Sequence, residues 1–148
     1  MSTTGLNPRI LGQAENAHRA LLQHFLAGTG LNYERWVAVT LVGTGGPEAE
    51  RTIVERLSSA LKVDSASATA TVADLKTAGL VASPGGELHL TDEGQRLFRR
   101  VRASVDETIT ELYSNIPAGD LEVAGRVLAE ITTRANAKLG QLAGSAKG

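Results

Sequence analysis

The chain has 148 residues, of which 42% are hydrophobic, and its 15 basic and 16 acidic residues give a formal net charge of −1. This length and composition can bury one sizeable core. The absence of cysteine excludes disulfides, thiolate metal ligands and cysteine nucleophiles, and the three histidines are too scattered for a metal site. No apolar run approaches the roughly 18 residues that cross a bilayer, and the polar start lacks the features of a signal peptide. We therefore expect a cytoplasmic protein that meets no membrane.

Three helices are predicted in the first 60 residues. Hydrophobic residues at steps of three and four indicate the first helix over 8–27. Asn32 is a suitable N-cap for the second helix, which ends at a glycine-rich turn. The third helix is predicted over 48–60.

A fourth helix and a hairpin follow. Asp64 ends a short connection and is a good N-cap for a helix over 64–78. Two short strands are predicted at 80–82 and 88–90, because both are apolar and the turn sequence SPGGE joins them.

Two long helices complete the chain. Thr91 is a suitable cap for a helix over 92–114, and Pro117 suits the first turn of a last helix over 117–140. Both have hydrophobic residues along one side, which in a chain this small favours a partner surface, and a two-fold dimer is the commonest solution. The alternative is that both helices pack on the helix over 8–27 within one monomer.

The order of these elements resembles the winged helix-turn-helix regulators of the MarR family over almost the whole chain. The segment LKVDSASATATVADLKTAGLV at 61–81 is similar to the family's turn, recognition helix and Leu-x-x-x-Gly-Leu sequence. The segment LTDEGQRLF at 90–98 is similar to the family's Leu-Thr-x-x-Gly sequence that leads out of the wing.

This resemblance implies a mainly α fold, a winged helix-turn-helix with a small β-hairpin and long N- and C-terminal dimerisation helices. The chain would form a single winged-helix domain over 1–148. Its winged lobe would span 31–90, and its helical dimerisation region 8–27 and 92–140. The implied assembly is a homodimer whose two winged motifs face adjacent major grooves of double-stranded DNA.

The candidate DNA-binding residues are hydroxyl-bearing or basic and belong to the turn and the fourth helix: Lys62, Ser65, Ser67, Thr69, Thr71 and Lys76. They depart from the family, whose members present several arginines or lysines there and an arginine in the wing. Between Gly45 and Gln95 the chain has four basic and eight acidic residues, a net charge of −4. DNA affinity grows with the number of phosphates neutralised, so this lobe would bind weakly. Alternatively, these small residues only fill an exposed helix face.

Positive charge is concentrated instead in the long helix after the hairpin, at Arg96, Arg99, Arg100 and Arg102. This patch could meet the DNA backbone, an anionic ligand or the acidic lobe. An ordinary solvated helix face is the simpler interpretation, because surface charge clusters usually contribute little.

The resemblance also implies a small-molecule effector between the dimer helices and the winged lobe. Aromatic rings with a histidine or arginine suit an aromatic or anionic ligand. The alternative is that the aromatic residues are plain core and that the histidine is satisfied by a neighbour. The candidate ligand-binding residues are His18, Tyr33, Trp36, Phe98 and Arg102.

The sequence contains no nucleophile elbow and no phosphate-binding loop, and it predicts neither catalysis nor a cofactor. The function predicted is a ligand-responsive, homodimeric transcriptional regulator that binds a palindromic operator. The alternative is a protein of the same fold that has lost direct DNA reading and acts as a small-molecule-binding or partner-binding module, or as a repurposed enzyme.

Overall fold

The structure is a computed structural model that describes residues 5–145. Within this range the chain forms six helices and three short strands. In chain order they are α1 (Pro8–Leu26), α2 (Tyr33–Gly45), β1 (Glu48–Ala49), α3 (Glu50–Leu61), α4 (Ser65–Thr77), β2 (Val81–Ala82), β3 (Glu87–Leu90), α5 (Asp92–Tyr113) and α6 (Ala118–Ser145).

Side-chain caps fix the starts of several helices. The Asn32 side chain accepts a hydrogen bond from the backbone N–H of Arg35 at 2.9 Å, at the start of α2. The Asp64 carboxylate accepts from the N–H of Ser67 at 2.7 Å, at the start of α4, and the Thr91 hydroxyl accepts from the N–H of Gly94 at 3.1 Å, at the start of α5. Each cap satisfies a backbone donor that has no partner within its helix. The helix starts predicted at these caps are confirmed.

The prediction of a helix from residue 48 is wrong at its start, because Glu48–Ala49 is a strand. Glu48 pairs with Leu88 in antiparallel register, and the sheet has three strands in the order β1-β3-β2. Gly46 has a φ of 74°, and Pro47 follows it. The positive φ of Gly46 and the proline that follows it keep Gly46 out of helical backbone, and the pairing of Glu48 and Ala49 with β3 keeps the chain extended until α3 begins.

The core of the winged lobe is formed by α2, α3, α4 and β3. Its most buried side chains have no more than 1% of their surface exposed and include Ile53, Leu57, Leu75 and Leu88. Every helix here has one apolar stripe facing this core, which is how a small helical lobe excludes water.

The Leu-Thr-x-x-Gly sequence has a packing reason. The Thr91 hydroxyl donates to the carbonyl of Gly79 at 2.6 Å, and its N–H donates to the carbonyl of Leu80 at 3.0 Å. A Cβ at Gly94 would clash directly with that Leu80 carbonyl. Only glycine therefore lets the first turn of α5 lie against the chain that leaves α4.

The chain divides into two compact units after Thr108. The unit from Ile109 contains the end of α5 and all of α6, and α6 has no buried residue. The last helix, predicted to end at residue 140, continues to Ser145. Its exposed large hydrophobic residues are Val123, Val127, Ile131, Leu139 and Leu142.

Candidate functional site

A tight turn joins α3 to α4. Lys62 ends α3 with a φ of 57°, a left-handed backbone that side chains other than glycine and asparagine rarely adopt. The turn is held from both sides, since the N–H of Val63 donates to the carbonyl of Ser58 at 3.1 Å and the Ser58 hydroxyl donates to the carbonyl of Val63 at 2.5 Å. The turn therefore has the geometry of a helix-turn-helix and exposes the Lys62 side chain.

Asp64 fixes the N-terminus of α4 electrostatically as well as by geometry. The backbone N–H and the hydroxyl of Ser67 hydrogen-bond to its carboxylate, and both contacts lower the pKa of Asp64. The carboxylate is thus held in its charged form at the positive end of the helix dipole.

The outward face of α4 is small and neutral. Ser65, Ser67 and Thr69 are exposed, as their candidate role in DNA binding requires. Thr71 is half-buried, and its hydroxyl donates to the carbonyl of Ser67 at 3.1 Å. This face therefore presents three hydroxyl-bearing side chains and no arginine.

Most basic side chains of the winged lobe are paired with its own carboxylates. Arg51 pairs with Glu55 at 3.2 Å and Arg56 with Glu48 at 2.6 Å. Lys76, a candidate DNA contact, places its Nζ 2.7 Å from the Glu50 carboxylate. Among the residues that the structure describes, Lys62 is the one basic side chain between Gly45 and Gln95 without an ion pair.

Glu50 joins three parts of the lobe, and sequence patterns did not single it out. Its carboxylate accepts from Lys76 of α4 and, at 3.3 Å, from the hydroxyl of Ser83 at the hairpin turn. Its backbone N–H donates to the carbonyl of Gly86 at 3.2 Å. The hairpin tip is therefore tied back to α3, and Lys76 is paired with the same carboxylate.

Four of the five candidate ligand-binding residues have contacts within the described chain that a structural role explains. Trp36 and Phe98 belong to the core, with ring centroids 5.8 Å apart. The exposed His18 lies with its Nδ1 2.7 Å from the carbonyl of Ala14 on its own helix. Arg102 donates to Asp106 one turn further along α5, at 3.0 Å. Each therefore has a contact that a structural role explains.

Tyr33 does line a cleft, at the beginning of α2. This cleft has a volume of about 410 Å³ and mainly apolar walls formed by the end of α1 and the connection to α2, including Leu26, Leu31 and Asn32. The guanidinium of Arg19 lies over the Tyr33 ring, 4.4 Å from its centroid. The same guanidinium is paired with Glu15 at 2.7 Å, so its charge is already neutralised, and the mainly apolar walls make the cleft compatible with a small aromatic ligand.

Arg35 connects the rim of this cleft to α4. Its guanidinium donates to the carbonyl of Gly30 at 3.0 Å and to the carboxylate of Asp74 at 3.1 Å. Because Gly30 lines the cleft and Asp74 belongs to α4, one side chain touches both candidate sites. The separation of 39 positions between Arg35 and Asp74 explains why no local sequence pattern indicated this link.

Two features of residues 5–145 bear on the type of site. The structure places no group of three or more histidine or carboxylate side chains where they could hold a metal ion. None of the helices described is both long and apolar enough to cross a bilayer.

Neither a protein-family model nor a curated protein matches the sequence, but solved structures match it closely in fold. Ligand-free NadR superposes with a TM-score of 0.74 at 22% identity, covering 89% of this chain and 98% of that one. NadR in complex with 4-hydroxyphenylacetate gives 0.68 at 22% identity, covering 86% and 95%. The Mycobacterium tuberculosis MarR family protein Rv2887 in complex with DNA gives 0.65 at 19% identity, covering 86% and 98%. The predicted fold class is confirmed: the chain has the winged helix-turn-helix fold of the MarR-type regulators.

Proposed function

We propose that this chain is a homodimeric, DNA-binding transcriptional regulator that responds to a small aromatic or anionic ligand. The observation that carries the proposal is the likeness in fold, over more than four fifths of the chain, to a MarR family protein bound to DNA. No step of the proposal is catalytic and none needs a cofactor.

The homodimer is supported by the helices after residue 108. Val123, Val127 and Ile131 follow each other at steps of four on α6, and each is more than 40% exposed. Residues four apart share one helix face, so they form an apolar stripe that water disfavours. A second copy of the same helices is the simplest cover for such a stripe.

DNA contact would come from the beginning of α4 and from the turn before it. The Lys62 side chain and the exposed hydroxyls of Ser65 and Thr69 are available there, and hydroxyls can donate to phosphates or touch base edges. The Ser67 hydroxyl already donates to the Asp64 carboxylate, so Ser67 would have to give up that bond to contact DNA as a donor. With one unpaired cation in this part of each subunit, few phosphates would be neutralised. The expected affinity is therefore modest, and its salt dependence would be shallower than that of a strongly basic reader.

The ligand response would use the cleft at Tyr33 and the link through Arg35. An anionic ligand in this cleft would attract the Arg35 guanidinium, which is hydrogen-bonded to Asp74 of α4. A ligand shifts DNA affinity only if it binds two conformations of the lobe with different affinity. Competition for Arg35 provides that difference.

A second candidate function, a module of the same fold that has lost direct DNA reading, is favoured by the ion pairs of the lobe. Lys76 and Arg56 are held by Glu50 and Glu48 at 2.7 and 2.6 Å. A cation that already has a carboxylate partner must lose it before it can neutralise a phosphate. In this second candidate function the cleft at Tyr33 still binds a ligand or partner, but α4 no longer contacts DNA.

The two candidates are distinguished by titrating the DNA upstream of the protein's own gene at several salt concentrations. The regulator is supported by specific binding that Lys62→Gln weakens, with a loss of about one unit of salt slope per subunit. Arg51→Gln is the matched control, because Arg51 lies in the same lobe but is paired with Glu55. Absence of specific binding at low salt contradicts the regulator.

A gain-of-function variant tests the same point in the opposite direction. Glu50→Gln releases Lys76 from its charged partner, so DNA affinity should rise by a few-fold if α4 faces the phosphate backbone. Glu55→Gln is the control, since it frees Arg51 on α3 instead. Unchanged affinity in Glu50→Gln favours the second candidate.

A further inference from the structure

A second cleft lies where the chain leaves α4, away from the neutral outward face of that helix. It has a volume of about 380 Å³, within the usual range for small-molecule sites, and its walls are mainly polar. Ala78, Leu80 and Leu97 form its apolar part, and Thr29 forms the wall between α1 and α2. It is therefore chemically unlike the apolar cleft at Tyr33.

Two arginines of α5 line this cleft, and neither is paired. Arg96 and Arg100 are four residues apart, so they extend from one face of the helix. Both are exposed, and in the part of the chain that the structure describes neither takes part in an ion pair or side-chain hydrogen bond. By contrast, Arg102, less than one turn beyond Arg100, is paired with Asp106.

A carboxylate and a fixed wall complete the cleft. Glu93 lines it one turn before Arg96, and its carboxylate lies beside Gly79 rather than on either guanidinium. The Thr29 hydroxyl donates to the carbonyl of Leu26 at 2.6 Å and accepts from the N–H of Leu31 at 3.1 Å. Thr29 therefore shapes the wall, and the donors available to an occupant are the two guanidiniums.

We propose that this cleft binds a phosphate monoester of a small hydroxylated compound, held by Arg96 and Arg100. Guanidinium groups recognise phosphate through paired hydrogen bonds, and two of them match the charge of nearly −2 on a phosphate monoester at neutral pH. The Glu93 carboxylate accepts only, so it suits a hydroxyl of the ligand body and disfavours a second anionic group there. Leu80 and Leu97 provide contact for the carbon skeleton.

The site does not depend on DNA reading by α4, so its test contains no requirement for DNA. Nitrogen-15 NMR of the full chain follows the side-chain Nε–H signals of Arg96 and Arg100 and the backbone N–H of Thr29 during separate titrations with inorganic phosphate, glucose 6-phosphate and glucose. The expected result is saturable shifts at these three residues with both phosphates, tighter for glucose 6-phosphate, and none with glucose. Shifts with glucose alone, or no shifts at millimolar phosphate, overturn the proposal without touching the proposed regulator.

Two variants test the assignment of the phosphate to this arginine pair. Arg96→Gln with Arg100→Gln keeps the helix and removes both charges, and should weaken glucose 6-phosphate binding at least about tenfold, since hydrogen bonds to charged groups are the strong ones. Arg99→Gln is the matched control, an exposed arginine of the same helix that does not line the cleft, and should change binding by less than about twofold. Equal weakening in both variants indicates general charge attraction and overturns the proposal.

A last arm separates a small phosphorylated ligand from a nucleic acid backbone. The same signals are followed with a short duplex DNA of arbitrary sequence. Shifts of Arg96 and Arg100 with glucose 6-phosphate, stronger than those with an equal concentration of DNA phosphate, support the cleft as a small-molecule site. Shifts with duplex DNA and none with either small phosphate contradict it.

Discussion

The parts of the chain before and after Thr108 differ in how much of their hydrophobic surface is buried within the subunit. All sixteen buried hydrophobic residues of the described chain lie before Thr108, around α2, α3, α4 and the sheet. In α6 no residue is buried, and five of its large hydrophobic side chains are more than 40% exposed, namely Val123, Val127, Ile131, Leu139 and Leu142. The first part therefore completes a core from its own residues. The second has the composition of an element that folds against another surface, which we propose is a second copy of the chain.

The largest effect is expected from placing charge on the apolar stripe of α6. Val127→Asp with Ile131→Asp would bury carboxylates in the proposed dimer interface, and the dissociation constant should rise at least about a thousandfold, or about 4 kcal/mol. Sedimentation equilibrium measures it directly. The matched control is Ala129→Asp with Thr133→Asp, which adds the same charge on the opposite face of α6 and should leave the dimer intact.

This comparison is wrong if the two double variants behave alike, or if the unmodified chain is monomeric at micromolar concentration. In either case the exposed stripe would not be a dimer surface, and the palindromic operator would lose its structural basis.

A smaller effect is expected from the core of the winged lobe. Leu57 is fully buried, so Leu57→Ala should lower the free energy of unfolding by about 3 kcal/mol through lost contacts and a residual cavity. Leu142→Ala removes the same atoms from a side chain that is 55% exposed and should change the free energy of unfolding by less than about 0.5 kcal/mol. Both variants are measured by urea unfolding in the Val127→Asp and Ile131→Asp background, so that subunit association does not contribute to the measured free energy of unfolding. Similar losses in the two variants would contradict the division at Thr108.

Local chemistry explains which parts of the fold could be predicted from sequence. Helix starts depend on a cap and the three residues after it, so Asn32, Asp64 and Thr91 were recognisable. Strand β1 has two residues, and its partner Leu88 lies 40 positions away, so no periodicity could indicate it. For this reason the helix predicted over 48–60 wrongly included Glu48 and Ala49.

The site was harder to predict because its charges are paired over long separations. Helix periodicity predicts the exposed hydroxyls of α4 correctly at Ser65, Ser67 and Thr69 but not at Thr71, which is half-buried and donates to the carbonyl of Ser67. The partners Lys76 and Glu50 are 26 positions apart, and composition alone counts both as available charges. For Trp36, the sequence was compatible both with core packing and with ligand binding. The structure places Trp36 in the core, where its ring packs against Phe98.

The smallest expected effect concerns the cap of α4 and its dependence on pH. Because hydrogen bonds from Ser67 lower the pKa of Asp64 in the folded chain, the ionised carboxylate stabilises the fold above its ordinary pKa. That contribution is lost as the pH falls through the lowered pKa. Asp64→Asn keeps a capping oxygen but cannot ionise, so its Tm should fall below that of the unmodified chain at neutral pH, with the difference shrinking in acid.

Thermal unfolding followed by circular dichroism between neutral and acidic pH measures this difference. A gap in Tm that stays constant with pH would show that the charge of Asp64 does not stabilise α4. The same two Tm values are then measured against pH in the Val127→Asp and Ile131→Asp background, in which the proposed dimer is dissociated. This measurement tests whether the part of the chain before Thr108 is stable without a partner. If the winged lobe completes its own core, the pH-dependent contribution of Asp64 must persist after the subunits separate. Its loss there would mean that α4 is ordered by the partner and not by the residues before Thr108.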